Sequence, residues 1–143
     1  MMTGKWVLVM DDDAILRYVV CRMLESAGYQ AYAGKDGVEA VWIYRKAKEC
    51  GKTFDAVILD LNVPRGMGGK ETIRALHAME PDVRAIVMSG DSTDPAIMDH
   101  KAFGFRAVLG KPFTQEQLVR TLQAVLDNSI GVPGGVHEAY TGC

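Results

Sequence analysis

The chain has 143 residues, 48% of them hydrophobic and 24% charged, and a net charge of −2. That is enough for one domain with a real core, and it gives no basis for nucleic-acid binding through the domain as a whole. No apolar run approaches the ~20 residues a membrane helix needs, residues 1–5 show no signal-peptide pattern,, and Cys21, Cys50 and Cys143 form neither a CxxC pair nor a metal-ligand spacing,. An odd number of scattered cysteines argues against a disulfide framework and for a reducing compartment, so the expected location is the cytoplasm, without membrane contact.

In chain order, residues 5–10 read as an apolar strand ending in Asp11-Asp12-Asp13. Residues 14–27 have apolar positions at helical spacing: Ile15, Val19 with Val20, Met23 with Leu24, and Ala27. Asp13 reads as the N-cap and Gly28 as the residue that stops the helix. A weaker strand follows over 29–33, then a helix over 36–48 with Val38, Val41, Trp42 and Ala47 expected inward. The most informative stretch is Ala56-Val57-Ile58-Leu59 followed at once by Asp60. A short, continuous apolar run reads as a strand buried on both faces.

A Pro/Gly loop over 63–69 leads to a helix over 70–79. A fourth strand over 83–88 ends at Ser89-Gly90-Asp91, and a short helix is expected over 94–102. A fifth strand over 106–109 ends at Gly110-Lys111-Pro112, and Thr114 caps a last helix to about residue 126, with Leu118, Leu122 and Val125 inward. Strand–helix alternation five times over predicts a parallel sheet covered by helices on both faces. Residues 128–143 have four glycines, one proline and little apolar content. They read as a flexible tail or linker beyond a domain of residues 5–127.

Four of the five strands end in a residue able to do chemistry: Asp11 and Asp12, Asp60, Ser89, and Lys111. In a parallel sheet these ends share one edge, where open α/β sheets bind their ligands. Three clustered carboxylates repel one another. A hard divalent cation relieves that repulsion, and oxygen donors suit Mg²⁺. Lys111 is then placed to neutralise phosphoryl oxygens, Ser89 to donate a hydrogen bond, and Asp60 to act as a nucleophile that forms an aspartyl phosphate. Taken singly, each residue has a plainer role. Aspartates at strand ends cap helices, Ser-Gly makes turns, and a lysine before proline sits on surfaces. The agreement of four strand ends is what favours the site.

The motifs Val7-Leu8-Val9-Met10-Asp11-Asp12-Asp13, Asp60-Leu61-Asn62-Val63-Pro64, Met88-Ser89-Gly90 and Lys111-Pro112-Phe113 together resemble a receiver domain of two-component signalling, from a response regulator or a hybrid sensor kinase. The resemblance covers about residues 5–127. It implies an α/β flavodoxin-like fold, (βα)5, with five parallel strands in the order 2-1-3-4-5. It implies Asp60 as phosphoacceptor, Asp11 and Asp12 with Asp60 as Mg²⁺ ligands, and Asn62 as the donor of a backbone carbonyl to the metal. Ser89 matches the switch hydroxyl and Lys111 the family's lysine, and the Lys111–Pro112 bond matches one that is cis in the family. The implied partner is a sensor histidine kinase or its phosphotransfer domain, and the resemblance allows a homodimer.

Three departures stand out. The loop after Asp60 is one residue longer than the family's usual loop and has glycine where an aspartate is common, as in receivers attached to hybrid kinases. Val108 stands where the family often has an aromatic switch residue. The sequence carries no helix-turn-helix, effector enzyme or kinase core.

Other readings compete. Asp11-Asp12-Asp13 with Gly90-Asp91 resembles a haloacid dehalogenase-like phosphohydrolase, but that family's lysine precedes its Gly-Asp motif, whereas Lys111 follows it. Gly66-Met67-Gly68-Gly69-Lys70-Glu71 fails as a P-loop, because Pro64 and Glu71 stand where Gly and Ser/Thr are needed. A scaffold without phosphorylation would keep the fold and lack the chemistry. Finally, the small polar groups Asn62 and Asp91, two residues past Asp60 and Ser89, leave water access to a phosphoryl group, and the resemblance implies a lifetime of minutes rather than many hours.

Overall fold

The computed structural model describes residues 2–127; the tail expected over 128–143 lies outside the described residues. The elements are β1 (Trp6–Met10), α1 (Ala14–Ser26), β2 (Gln30–Gly34), α2 (Gly37–Glu49), β3 (Ala56–Asp60), α3 (Gly69–Met79), β4 (Ala85–Ser89), α4 (Pro95–Met98), β5 (Ala107–Gly110) and α5 (Gln115–Asp127). Among these residues the strands form one sheet in the order β2-β1-β3-β4-β5, and every pairing is parallel. The parallel sheet is what the strand–helix alternation predicted, and its order makes it the flavodoxin-like α/β fold that the resemblance implied.

Side chains alternate across a strand, and the sheet has a core on each face. Leu8 and Met10, Val57 and Leu59, and Ala85 and Val87 face a core shared with Ala40, Tyr44, Ile73 and Leu76 of α2 and α3. Val7 and Val9, Ala56 and Ile58, and Ile86 and Met88 face a core shared with Val20 and Leu24 of α1 and Leu118, Leu122 and Val125 of α5. β3 is the centre: its four apolar residues are wholly buried, as a strand paired on both sides and covered on both faces must be. The inward face of α5 is the expected one.

Helix ends follow local chemistry. The Asp13 carboxylate accepts the amide N–H groups of Ile15 (3.0 Å) and Leu16 (3.1 Å), so it is the N-cap of α1. At the other end Gly28 has φ +94°. Its N–H donates to the Glu25 carbonyl and the Tyr29 N–H to the Leu24 carbonyl, the paired bonds that satisfy the last orphan carbonyls of a helix.

Two expectations are corrected. In α2 the buried residues are Gly37, Ala40 and Tyr44, while Val38 and Trp42 are 66% and 55% exposed. The helix carries apolar residues on several stripes, and packing against β1 and α3 selects the one that includes the large Tyr44 ring. Ile15 and Val19 of α1 are likewise exposed, at 78% and 37%. The second correction concerns α4, which spans four residues rather than the nine expected. Asp94 caps it and Pro95 starts it, but Asp99 leaves helical geometry at φ −130° and ψ 53°. Tight turns replace the remainder, with Ala102 bonded to Asp99, Phe103 to His100 and Gly104 to Lys101.

Candidate functional site

Strand parity decides which chemistry-bearing side chains meet. Asp11 continues the alternation of Val7 and Val9, and Asp60 that of Ala56 and Ile58. Lys111 continues that of Ala107 and Leu109, and all these apolar residues belong to the core facing α1 and α5. Register brings the strand ends level: Met10 pairs with Leu59 and Asp60 with Met88. The three side chains therefore converge, although they stand 51 and 100 residues apart in sequence. The Lys111 Nζ donates to Asp11 Oδ2 at 2.9 Å and to Asp60 Oδ1 at 3.2 Å.

Asp11 is held from several directions. Its Oδ1 accepts the Asp13 N–H at 2.9 Å, its backbone N–H donates to the Gly34 carbonyl, and its carbonyl accepts Arg17 Nη1 at 2.8 Å. Arg17 was not singled out by sequence. An arginine one turn into a helix is ordinary unless the chain before it is known to fold back. Asp12 points to the exposed side. Even so, one carboxylate oxygen from each of Asp11, Asp12 and Asp60 lies within 4.8 Å of the others.

The electrostatics match this crowding. Burial, and then the neighbouring charge of Asp11, pushes the Asp60 carboxyl from 3.8 up to about 6, with Lys111 opposing the shift,. Burial by itself would lower the pKa of Lys111, but the hydrogen bond to Asp11 and the charges of both aspartates outweigh it, so its ammonium is held above the ordinary lysine value. One ammonium does not neutralise three carboxylates. The donor set, made of hard oxygens with one open flank at Asp12, fits a divalent cation such as Mg²⁺.

Ser89 and Asn62 are less tightly bound to the cluster. Ser89 is 6% exposed at the end of β4, but its parity is that of Ala85 and Val87, toward the opposite core. Its Oγ accepts the Asp91 N–H at 2.9 Å. Across the ladder its carbonyl accepts the Lys111 N–H at 2.9 Å, which ties the backbones of the two strand ends together. Asn62 is exposed, two residues beyond β3. The Lys111–Pro112 bond is cis, as the resemblance implied. Val108 is half-buried in β5, paired with Val87.

Comparison with known proteins agrees with this geometry. The family described as response regulator receiver domain matches residues 7–123. The chain belongs to the receiver domain family. It is 34% identical over 124 residues to the sensor kinase CckA of Brucella abortus, covering 85% of this chain and 12% of that protein. Among solved structures, the chemotaxis protein CheY4 of Vibrio cholerae superposes with a TM-score of 0.76 at 32% identity, covering 88% of this chain and all of that one. The receiver domain of the sensor histidine kinase PA1611 of Pseudomonas aeruginosa, whose structure has a magnesium ion in its active-site cleft, gives 0.73 at 26% identity over 86% of this chain and 98% of that one.

This receiver domain thus spans a small part of the sensor kinase it resembles. The haloacid dehalogenase alternative falls, because Asp91 lies outside the acidic cluster. Its carboxylate turns back to accept the Thr93 N–H at 2.9 Å and Oγ1 at 2.6 Å. Lys70, the lysine of the rejected P-loop, pairs with Asp94 at 3.3 Å. Among the described residues no helix is long and apolar enough to cross a membrane.

Proposed function

We propose that Asp60 is the phosphoacceptor of this two-component receiver, with Asp11, Asp12, Asp60 and the Asn62 carbonyl holding Mg²⁺, and with Ser89 and Lys111 completing the site. The observation that carries this reading is the contact of Lys111 Nζ with both Asp11 and Asp60, at the edge where the three carboxylates crowd. In the transfer, an Asp60 oxygen forms a bond to phosphorus as the phosphorus–nitrogen bond of a phosphohistidine donor breaks, its electron pair returning to the imidazole. Mg²⁺ held by the carboxylates would supply neutralisation of phosphoryl and carboxylate charge.

Lys111 already lies 3.2 Å from Asp60 and exchanges that partner for a phosphoryl oxygen. The Ser89 hydroxyl, exchanging its Asp91 contact for the phosphoryl group, draws the segment after β4 inward. With Val108 in β5 in place of a ring, that segment and β5 themselves serve as the readout. Water reaches the phosphoryl group past Asn62 and Asp91, so the domain releases phosphate slowly by itself, over minutes.

The donor is a sensor histidine kinase or its phosphotransfer domain in the cytoplasm. The exposed apolar side chains Ile15 and Tyr18, in the first turns of α1 after Asp11–Asp13, offer it a surface beside Asp60. Incubation with acetyl phosphate and Mg²⁺, read by intact-mass spectrometry, should add one phosphoryl group to the wild type and none to Asp60→Asn. A wild type that takes up no phosphate would return the chain to the reading of a silent scaffold.

A further inference from the structure

The loop between β3 and α3 does not hang free. Its tip is packed against the start of α2, and the packing leaves no room for a side chain at Gly37. A Cβ there would lie 2.0 Å from Thr72 Oγ1 and 2.6 Å and 2.7 Å from Cγ and Sδ of Met67. Thr72 is wholly buried, and its Oγ1 donates to the Gly68 carbonyl at 2.7 Å, so it cannot swing away without losing that bond. The Gly37 N–H, one of the spare donors in the first turn of α2, donates to the Met67 carbonyl at 2.8 Å. The loop then returns directly over the end of β3. A Cβ at Gly68 would meet the Leu61 carbonyl oxygen at 2.7 Å, and one at Gly69 the Asp60 carbonyl oxygen at 2.9 Å, both backbone atoms with no freedom to give. The glycines that lengthen this loop are therefore required by close backbone approach.

We infer that Gly37, acting through Met67 and Thr72, is a positioning residue for the metal and phosphoryl site. The α2 start and the first turn of α3 clamp the loop so that the backbone from Asp60 to Asn62 is held against the carboxylate cluster. This rests on the reading of Asp11, Asp12, Asp60 and the Asn62 carbonyl as the Mg²⁺ site, and it adds to that site a supporting residue from the other side of the sheet. Gly37 touches neither metal nor phosphate. Its effect passes through the loop backbone, as outer supports of metal sites act.

The test is Mg²⁺ affinity by titration calorimetry, beside urea unfolding and acetyl phosphate uptake, on wild type, Gly37→Ala, Thr72→Ala and the double variant. Gly37→Ala should remain folded and bind Mg²⁺ about tenfold more weakly. Its uptake rate should return toward that of wild type at saturating Mg²⁺, a dependence that general loss of structure would not produce. Adding Thr72→Ala removes the Oγ1 overlap and should bring the loss back to the roughly threefold of Thr72→Ala alone, a non-additivity expected of residues in contact.

A folded Gly37→Ala that binds Mg²⁺ as wild type does would overturn the inference. If Gly37→Ala does not fold, Thr72→Ala alone decides: loss of its bond to Gly68 should weaken Mg²⁺ by about threefold, less than the roughly tenfold or more typical of direct outer supports of a metal site, and unchanged binding overturns the inference. A wild type that binds no Mg²⁺ overturns both the site and its positioning residue, and the wild-type titration alone tells that case apart.

Discussion

The two edges of the sheet are built on opposite terms. At the amino-terminal edge four aromatic rings meet: Trp6 lies 4.8 Å from Tyr32 and 5.7 Å from Phe54, and Phe54 lies 5.5 Å from Tyr32 and 5.8 Å from Tyr44. Lys52 sits over the Trp6 ring at 4.5 Å, and the Asp55 carboxylate accepts the backbone N–H of Trp6 at 2.8 Å. At the carboxyl edge three carboxylates crowd together, and one ammonium pairs with two of them. Ring contacts and cation–π geometry add stability, whereas clustered like charges in a poorly solvated place remove it. One end of β3 thus adds stability and the other removes it, and the destabilising end is the one proposed to take a cation and a phosphoryl group.

This contrast can be broken at either end, and the largest effect is expected at the aromatic one. Phe54 is 4% exposed and touches three rings, so Phe54→Ala should cost about 3–5 kcal/mol in urea unfolding. Phosphate uptake per folded molecule should be unchanged, because residue 54 and residue 60 lie about 20 Å apart along the extended chain. Sites so separated act independently. A large fall in uptake by the folded fraction would show that the two ends are coupled.

The second effect has the opposite sign. With a folded pKa of about 6 against an ordinary 3.8, Asp60 holds its proton longer in the folded chain than in the unfolded one. The folded state binds more protons across that window, so in the absence of metal the stability contributed by this group is present at low pH and is lost as pH rises from about 4 to about 6. Asp60→Asn should flatten that stretch of the profile and stabilise the metal-free protein at neutral pH by up to about 3 kcal/mol, at 1.36 kcal/mol for each pH unit between the two values, which already include the opposition from Lys111,. A destabilised Asp60→Asn would contradict the placement of repulsion at this edge.

Mg²⁺ should act next in size. At ten times its Kd it should stabilise the wild type by about 1.4 kcal/mol at pH 7.5. At pH 5, where Asp60 is mostly protonated, the gain at the same Mg²⁺ concentration should fall to about 0.4 kcal/mol in a thermal melt, and chelation at pH 7.5 should reverse it. The smallest change separates structural from functional aspartates. Asp13→Ala removes the cap bonds to Ile15 and Leu16 and should cost about 1 kcal/mol. It should leave Mg²⁺ affinity nearly as it is, whereas Asp12→Ala, one residue earlier, should weaken Mg²⁺ strongly at little cost in stability.

The sequence determined a good deal of this protein. The β3 run and its terminal Asp60, the cap at Asp13, the stop at Gly28, the α5 stripe and the polar strand ends are local signals, each set by a few neighbouring residues or by a period of two or 3.6. The family follows from the order of those motifs. Tertiary structure decided what depends on partners far along the chain. Competition for the core turned Val38 and Trp42 of α2 outward in favour of Tyr44. Turns beyond Asp99 shortened α4. Strand parity and register put Lys111 on Asp11 and Asp60 but kept Ser89 with Asp91. The raised pKa of Asp60 arises from burial and from an aspartate 49 residues earlier, and the need for glycine at position 37 arises from Thr72 on another helix. Neither is a property of the residue or its neighbours in sequence. Each exists only once the chain has closed, because desolvation and steric exclusion are effects of what surrounds an atom in space.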